Sequence, residues 1–134
     1  MSAARPSSRQ DMEKKLLLIE EEAHVAARLE ELFGAFPELA VSRAGGAEEA
    51  RLLLADDPYD IVVTDIYVRG ASGLELTSRA LKTNPKCCVI VISGVDNEDL
   101  AKKAVAEGAY DYVIKPPGLD KLSSLLKLYL KFNR

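Results

Sequence analysis

Residues 60–66 read DIVVTDI, an apolar run at 61–64 closed by Asp65. A strand with one face in water alternates apolar and polar side chains, and this one does not. The same holds for LLLI at 16–19 and VIVI at 89–92. Strands of this kind are covered on both faces, as in a parallel sheet between two layers of helices. Shorter apolar stretches at 39–42 and 112–114 complete five predicted strands. Amphipathic patterns at 23–33, 47–55, 73–83, 98–107 and 120–132 predict a helix after each strand. Strand and helix thus alternate along the chain, and right-handed crossovers wind such an order into a doubly wound α/β sheet.

Length and composition agree with one domain. The chain has 134 residues, 48% of them hydrophobic, which is enough for a core. Residues 1–13 lack apolar periodicity and predict a disordered tail, with the folded domain over 14–134. The formal charge is -3 and the pI about 5.3, and the 18 basic residues are dispersed, so direct nucleic-acid binding is not expected. No stretch approaches the ~20 apolar residues of a membrane span, and residues 1–10 are polar, without an apolar stretch of signal-peptide length. A cytoplasmic protein without a membrane partner is expected. The neighbouring Cys87 and Cys88 have neither disulfide-framework nor metal-site spacing and read as small packing residues in reduced surroundings.

In an open sheet of this class, function sits at the carboxyl ends of the strands, near the reversal of strand order. Glu20, Glu21 and Glu22 follow the first predicted strand, Asp65 ends the third, Ser93 the fourth, and Lys115 follows the fifth. A carboxylate cluster can hold a hard divalent cation such as Mg²⁺, while a hydroxyl and an amine can hold the oxygens of an incoming phosphoryl group. Asp65 is then the nucleophile. Each residue also has a plainer reading. Asp65 can cap a turn, Ser93 before Gly94 is ordinary turn chemistry, Lys115 before two prolines can be a loop lysine, and Tyr112 can be a packed strand aromatic. His24 reads as a solvated or capping residue rather than a phosphate relay.

Taken together, LLLIEEE, DIVVTDI, SGLEL, VISG and GAYDYVIKPP, in that order on five strands, give the chain over 14–132 a likeness to a known family. It resembles the receiver domain of two-component response regulators. A flavin-binding flavodoxin would carry a phosphate-cradling loop after its first strand, and EEEAHV offers none. The resemblance implies a flavodoxin-like three-layer (βα)₅ sandwich with five parallel strands in the order 2-1-3-4-5. It makes Asp65 the phosphoacceptor, Ser93 the phosphate-sensing hydroxyl, Lys115 the phosphate-binding amine and Tyr112 the switch aromatic. Mg²⁺ would be held by Glu20, Glu21, Asp65 and the main-chain carbonyl of Tyr67, and the peptide between Lys115 and Pro116 would be cis. The implied partners are a histidine kinase or phosphotransfer protein and an output partner or effector region outside this sequence. The signal would pass through the face of the fourth helix, fifth strand and fifth helix. No independent enzyme is expected.

The departures from the family pattern are specific. The acidic pair usually contains Asp, whereas Glu20 and Glu21 are both one C–C bond longer, which predicts weaker binding of a small octahedral ion. Val68 and Arg69 stand where the family commonly has Met-Pro. These changes leave an alternative: a pseudo-receiver that binds partners without phosphorylation. On the last helix, Leu122, Leu125, Leu126 and Tyr129 form the stripe that must face the sheet, while Leu128 and Phe132 fall outside it and predict a partner or homodimer contact.

Overall fold

The computed structural model describes residues 13–115 and 118–133. The predicted tail, Glu13 excepted, and the peptide between Lys115 and Pro116 lie outside the described residues. Counting only the strands of the main sheet, the order is β1 (Lys14–Ile19), α1 (Ala23–Phe33), β2 (Leu39–Ala44), α2 (Ala47–Asp56), β3 (Ile61–Asp65), α3 (Gly73–Thr83), β4 (Cys88–Ser93), α4 (Glu98–Ala106), β5 (Asp111–Ile114) and α5 (Leu119–Phe132). All five strands are parallel, in the order β2-β1-β3-β4-β5. The predicted doubly wound (βα)₅ sandwich is the observed fold.

The continuous apolar runs do what their lack of alternation requires. Successive side chains of a strand point to opposite faces. Leu16 and Leu18 pack with Ala26, Leu29 and Phe33 of α1 and with Leu122, Leu126 and Tyr129 of α5. Leu17 and Ile19 pack on the other face with Ala50 and Leu54 of α2, Leu76 and Ala80 of α3, and Ala101 and Ala104 of α4. Leu16, Leu17, Leu18 and Ile19 are completely buried, and each such burial stabilises the fold by roughly 1.5–3 kcal/mol. Cys87 and Cys88 are free, buried and divided between the two cores, as packing residues should be. Desolvation by burial is the main cause that pushes both thiols up to about 12. Among the described residues no helix is long and apolar enough to cross a membrane.

Two short elements have no counterpart in the sequence pattern. A small antiparallel hairpin pairs Tyr67–Val68 with Ala71–Ser72, and a single 3₁₀ turn covers Val95–Asn97. Gly70 turns the hairpin with φ +88°, a conformation that favours glycine. After the hairpin, Ser72 caps α3 by accepting the N–H of Glu75 at 3.1 Å. Gly73 lets the start of α3 close on β3, because a Cβ there would lie 2.9 Å from Ile66 Cα and 3.0 Å from the Asp65 carbonyl oxygen.

Candidate functional site

The sheet register sets the site. Ile19 is paired with Thr64, Asp65 with Ile92, and Ser93 with Ile114, so the residues that end β1, β3, β4 and β5 come level at one edge. The next main-chain bonds extend this edge: Glu20 N–H donates to Ala44 O at 3.1 Å and Lys115 N–H to Ser93 O at 2.9 Å. The strand order reverses between β1 and β3, and Glu20 and Asp65 stand at that point.

Lys115 Nζ crosses the edge to donate to Asp65 Oδ2 at 2.6 Å and lies 3.7 Å from Glu20 Oε1. Burial works against the ammonium charge, but the hydrogen bond to Asp65 and the fields of Asp65, Glu20 and Glu22 outweigh it and hold Lys115 above its ordinary value. Glu20 is buried; its Oε2 accepts the Glu22 N–H at 3.1 Å, while its Oε1 has no hydrogen-bond partner. A buried carboxylate oxygen left without a donor is costly. Beside Asp65 it forms a hard-oxygen donor set that fits a hard divalent cation. Among the described residues no three His, Cys, Asp or Glu side chains form a ready metal cage. That is compatible with Mg²⁺, which commonly takes only one or two carboxylates and keeps waters.

The other expected residues lie nearby in defined states. Ser93 is fully buried and its Oγ donates to Gly94 O at 2.7 Å. Tyr67 N–H approaches Asp65 Oδ1 at 3.4 Å, a long contact. Glu21 Oε1 accepts the main-chain N–H of Arg69 at 2.9 Å. Tyr112 is half-buried; its hydroxyl donates to Glu98 Oε2 at 2.8 Å, a bond that holds the phenol above its ordinary pKa, and Lys121 Nζ lies 4.7 Å from its ring centroid. His24 is exposed, 3.7 Å from Glu22 Oε2, in keeping with a solvated residue.

Two arginines that sequence reasoning missed brace the edge. Arg43 of β2 donates to the Glu20 carbonyl through Nε at 3.1 Å and Nη2 at 2.8 Å, and through Nη2 to the Glu21 carbonyl at 3.3 Å. Arg51 of α2 donates through Nη2 to Gly70 O at 2.6 Å and grips Glu75 with Nε at 2.8 Å and Nη2 at 3.1 Å. The Arg51 hydrogen bond, joined by Arg79, draws the Glu75 carboxyl down to about 2. Nothing in the local pattern of either arginine marks these contacts, which span 19–24 residues of chain. An apolar cavity of about 500 Å³ lies between α1 and α5 and opens beside Lys115, lined by Val25, Leu29, Val113, Leu119 and Leu122.

Comparison with known proteins decides the family. Residues 16–127 match the model of the response regulator receiver domain. The chain belongs to that family. This receiver domain is 31% identical over 120 residues to the response regulator protein PilR of Pseudomonas aeruginosa, covering 90% of the present chain and 27% of PilR. It therefore spans well under half of that relative. Among solved structures it is similar to a response regulator receiver domain protein from Clostridium thermocellum, with a TM-score of 0.77, 26% identity and coverage of 88% and 94% of the two chains. The receiver domain of the Francisella response regulator 1452 shares the fold with a TM-score of 0.77 at 23% identity, over 90% and 99% of the two chains. Receiver domains are regulatory modules of two-component systems, and the fold and order of elements seen here are theirs.

Proposed function

We propose that this receiver domain is a phosphoacceptor switch in which Asp65 takes a phosphoryl group from a histidine kinase or phosphotransfer protein. The observation that carries the proposal is the 2.6 Å contact between Lys115 Nζ and Asp65 Oδ2 at the strand edge, with the unpartnered Glu20 Oε1 beside it. An Asp65 oxygen forms the new O–P bond as the P–N bond to the donor imidazole breaks, and the released imidazole nitrogen takes up a proton. Lys115, which faces Asp65 Oδ2 before transfer, then holds an oxygen of the incoming phosphoryl group. Glu20, Asp65 and the Tyr67 carbonyl are the proposed Mg²⁺ ligands, and the ion when bound supplies charge that favours the transfer. The donor rests on the cavity between α1 and α5 that opens beside Lys115.

Phosphorylation adds negative charge and acceptor oxygens next to Ser93. Its hydroxyl leaves Gly94 O for the phosphoryl group, the 94–97 segment follows, and Tyr112 gives up Glu98 to repack inward. The face of α4, β5 and α5 carries the change to an output partner or effector region. Leu128, 49% exposed, and Phe132, 73% exposed, extend that face on α5 as a contact for a partner or a second copy. A cytoplasmic location belongs to the same proposal. A second reading, a pseudo-receiver that binds partners without phosphorylation, draws on the engagement of Glu21 by Arg69 N–H. Uptake of phosphoryl from a small-molecule donor by the wild type and not by Asp65→Asn separates the two.

A further inference from the structure

The two departures from the family pattern meet in one hydrogen bond. Proline has no N–H. At position 69 the chain carries Arg instead, and the main-chain N–H so gained donates to Glu21 Oε1 at 2.9 Å. Both sides of this bond are anchored independently. Arg43 pins the acidic turn through the carbonyls of Glu20 and Glu21, and Arg51 pins the hairpin through Gly70 O. Glu21 is exposed and its carboxylate faces the hairpin, whereas Glu20 is 3% exposed and keeps Oε1 unpartnered beside Lys115 and Asp65.

We infer that Glu21 is a positioning residue, a clamp joining the acidic turn to the hairpin at 67–72, and that the divalent cation is held by Glu20 and Asp65 without it. The cation half of this inference rests on the proposed function; the clamp does not. An acid in the second position of the pair is thereby taken out of the metal's reach by the residue that replaces proline. The Glu side chain, one methylene longer than Asp, is what reaches the Arg69 N–H.

The test uses the whole chain and two readouts, hydrogen exchange of the Arg69 amide and Mg²⁺ titration followed by NMR shifts. Glu21→Gln keeps a carbonyl acceptor, and Glu21→Ala removes it. The Arg69 amide should exchange about tenfold faster in Glu21→Ala than in wild type, stay within about twofold in Glu21→Gln, and keep its protection when Mg²⁺ is added. Mg²⁺ affinity should fall about tenfold or more in Glu20→Gln and less than about threefold in Glu21→Gln. Equal exchange in Glu21→Ala and wild type overturns the clamp. Loss of Arg69 protection on adding Mg²⁺, or equal losses of affinity in the two Gln variants, overturns the division of roles. A wild type that binds no Mg²⁺ overturns the cation half together with the metal in the proposed function, and the exchange data still decide the clamp.

Discussion

Lys115 Nζ and Asp65 Oδ2, 50 residues apart in sequence, meet at 2.6 Å across the ends of β5 and β3. Glu20 Oε1 lies 3.7 Å from the same ammonium, which is therefore the cation that two carboxylates face. The fold brings the three together because each ends or directly follows a strand of the same parallel sheet and the strands are in register. Lys115 can therefore be tested twice, in stability and in its proposed part in phosphoryl binding.

For stability, the folded state holds Lys115 above its ordinary value of 10.5. A raised folded value means that the contribution is fully present below about pH 10.5 and is lost as pH rises through the folded value. Urea unfolding of wild type and Lys115→Met should differ by a constant amount through neutral pH, with wild type the more stable. The difference should shrink above about pH 10.5. A difference that grows with alkaline pH would contradict the pairing.

Glu75 has the opposite sign. Its folded value is lowered from 4.5 to about 2, first by the hydrogen bond from Arg51 and then by that from Arg79. Its stabilisation is present above about pH 4.5 and is lost as pH falls toward 2. Glu75→Gln should therefore lower stability at neutral pH and leave it nearly unchanged at pH 2, as followed by circular dichroism with urea. An equal loss at both pH values would show that the carboxylate charge is not what binds the two arginines.

Gly73→Ala tests the packing that places the loop after Asp65. The added Cβ would meet the main chain of Ile66 and the Asp65 carbonyl oxygen, neither of which is a flexible side-chain end. Overpacking of this kind costs about 1–3 kcal/mol. Denaturant unfolding should show that loss, while Gly46→Ala, where a Cβ meets nothing within 4 Å, should show much less.

The exposed apolar edge of α5 predicts association. Sedimentation of wild type and a Leu128→Asp, Phe132→Ser double variant, with and without phosphoryl donor, should show a dimer that strengthens on phosphorylation and is lost in the variant. Both side chains are solvent-exposed in the single chain, so at protein concentrations low enough to keep wild type monomeric the variant should unfold within about 0.5 kcal/mol of it. Monomers in all four samples would remove the dimer and leave a contact with another protein.

The three inner strands, β1, β3 and β4, were legible because buried parallel strands advertise themselves as unbroken apolar runs. Where the expectation fell short, the ladder ran beyond the core: β1 begins at Lys14, whose pairing with Leu39 needs only main-chain bonds. The hairpin after Asp65 has strands of two residues, too short to show any periodicity. Proximity of Asp65, Glu20 and Lys115 could be read, since each sits just past an apolar run at the same sheet edge. The contacts of Arg43, Arg51 and Glu98 could not, because their partners are set by tertiary packing and no local spacing encodes them. Glu21 fell between the two cases. Its place at the edge was readable, but its bond depends on a main-chain N–H whose direction is fixed by the hairpin.

In the proposed switch, Asp65 accepts phosphoryl at a site assembled with Lys115 and a divalent cation. The most direct measurement is intact-protein mass spectrometry after incubation with acetyl phosphate, with and without Mg²⁺, on wild type, Asp65→Asn and Lys115→Met. Wild type should gain a single phosphoryl group that requires Mg²⁺, Asp65→Asn should gain none, and uptake by Lys115→Met should be slowed about a hundredfold, the scale of losing one charge-stabilising group. A phosphoryl group on Asp65→Asn, or no uptake by wild type at any Mg²⁺ concentration, would contradict it.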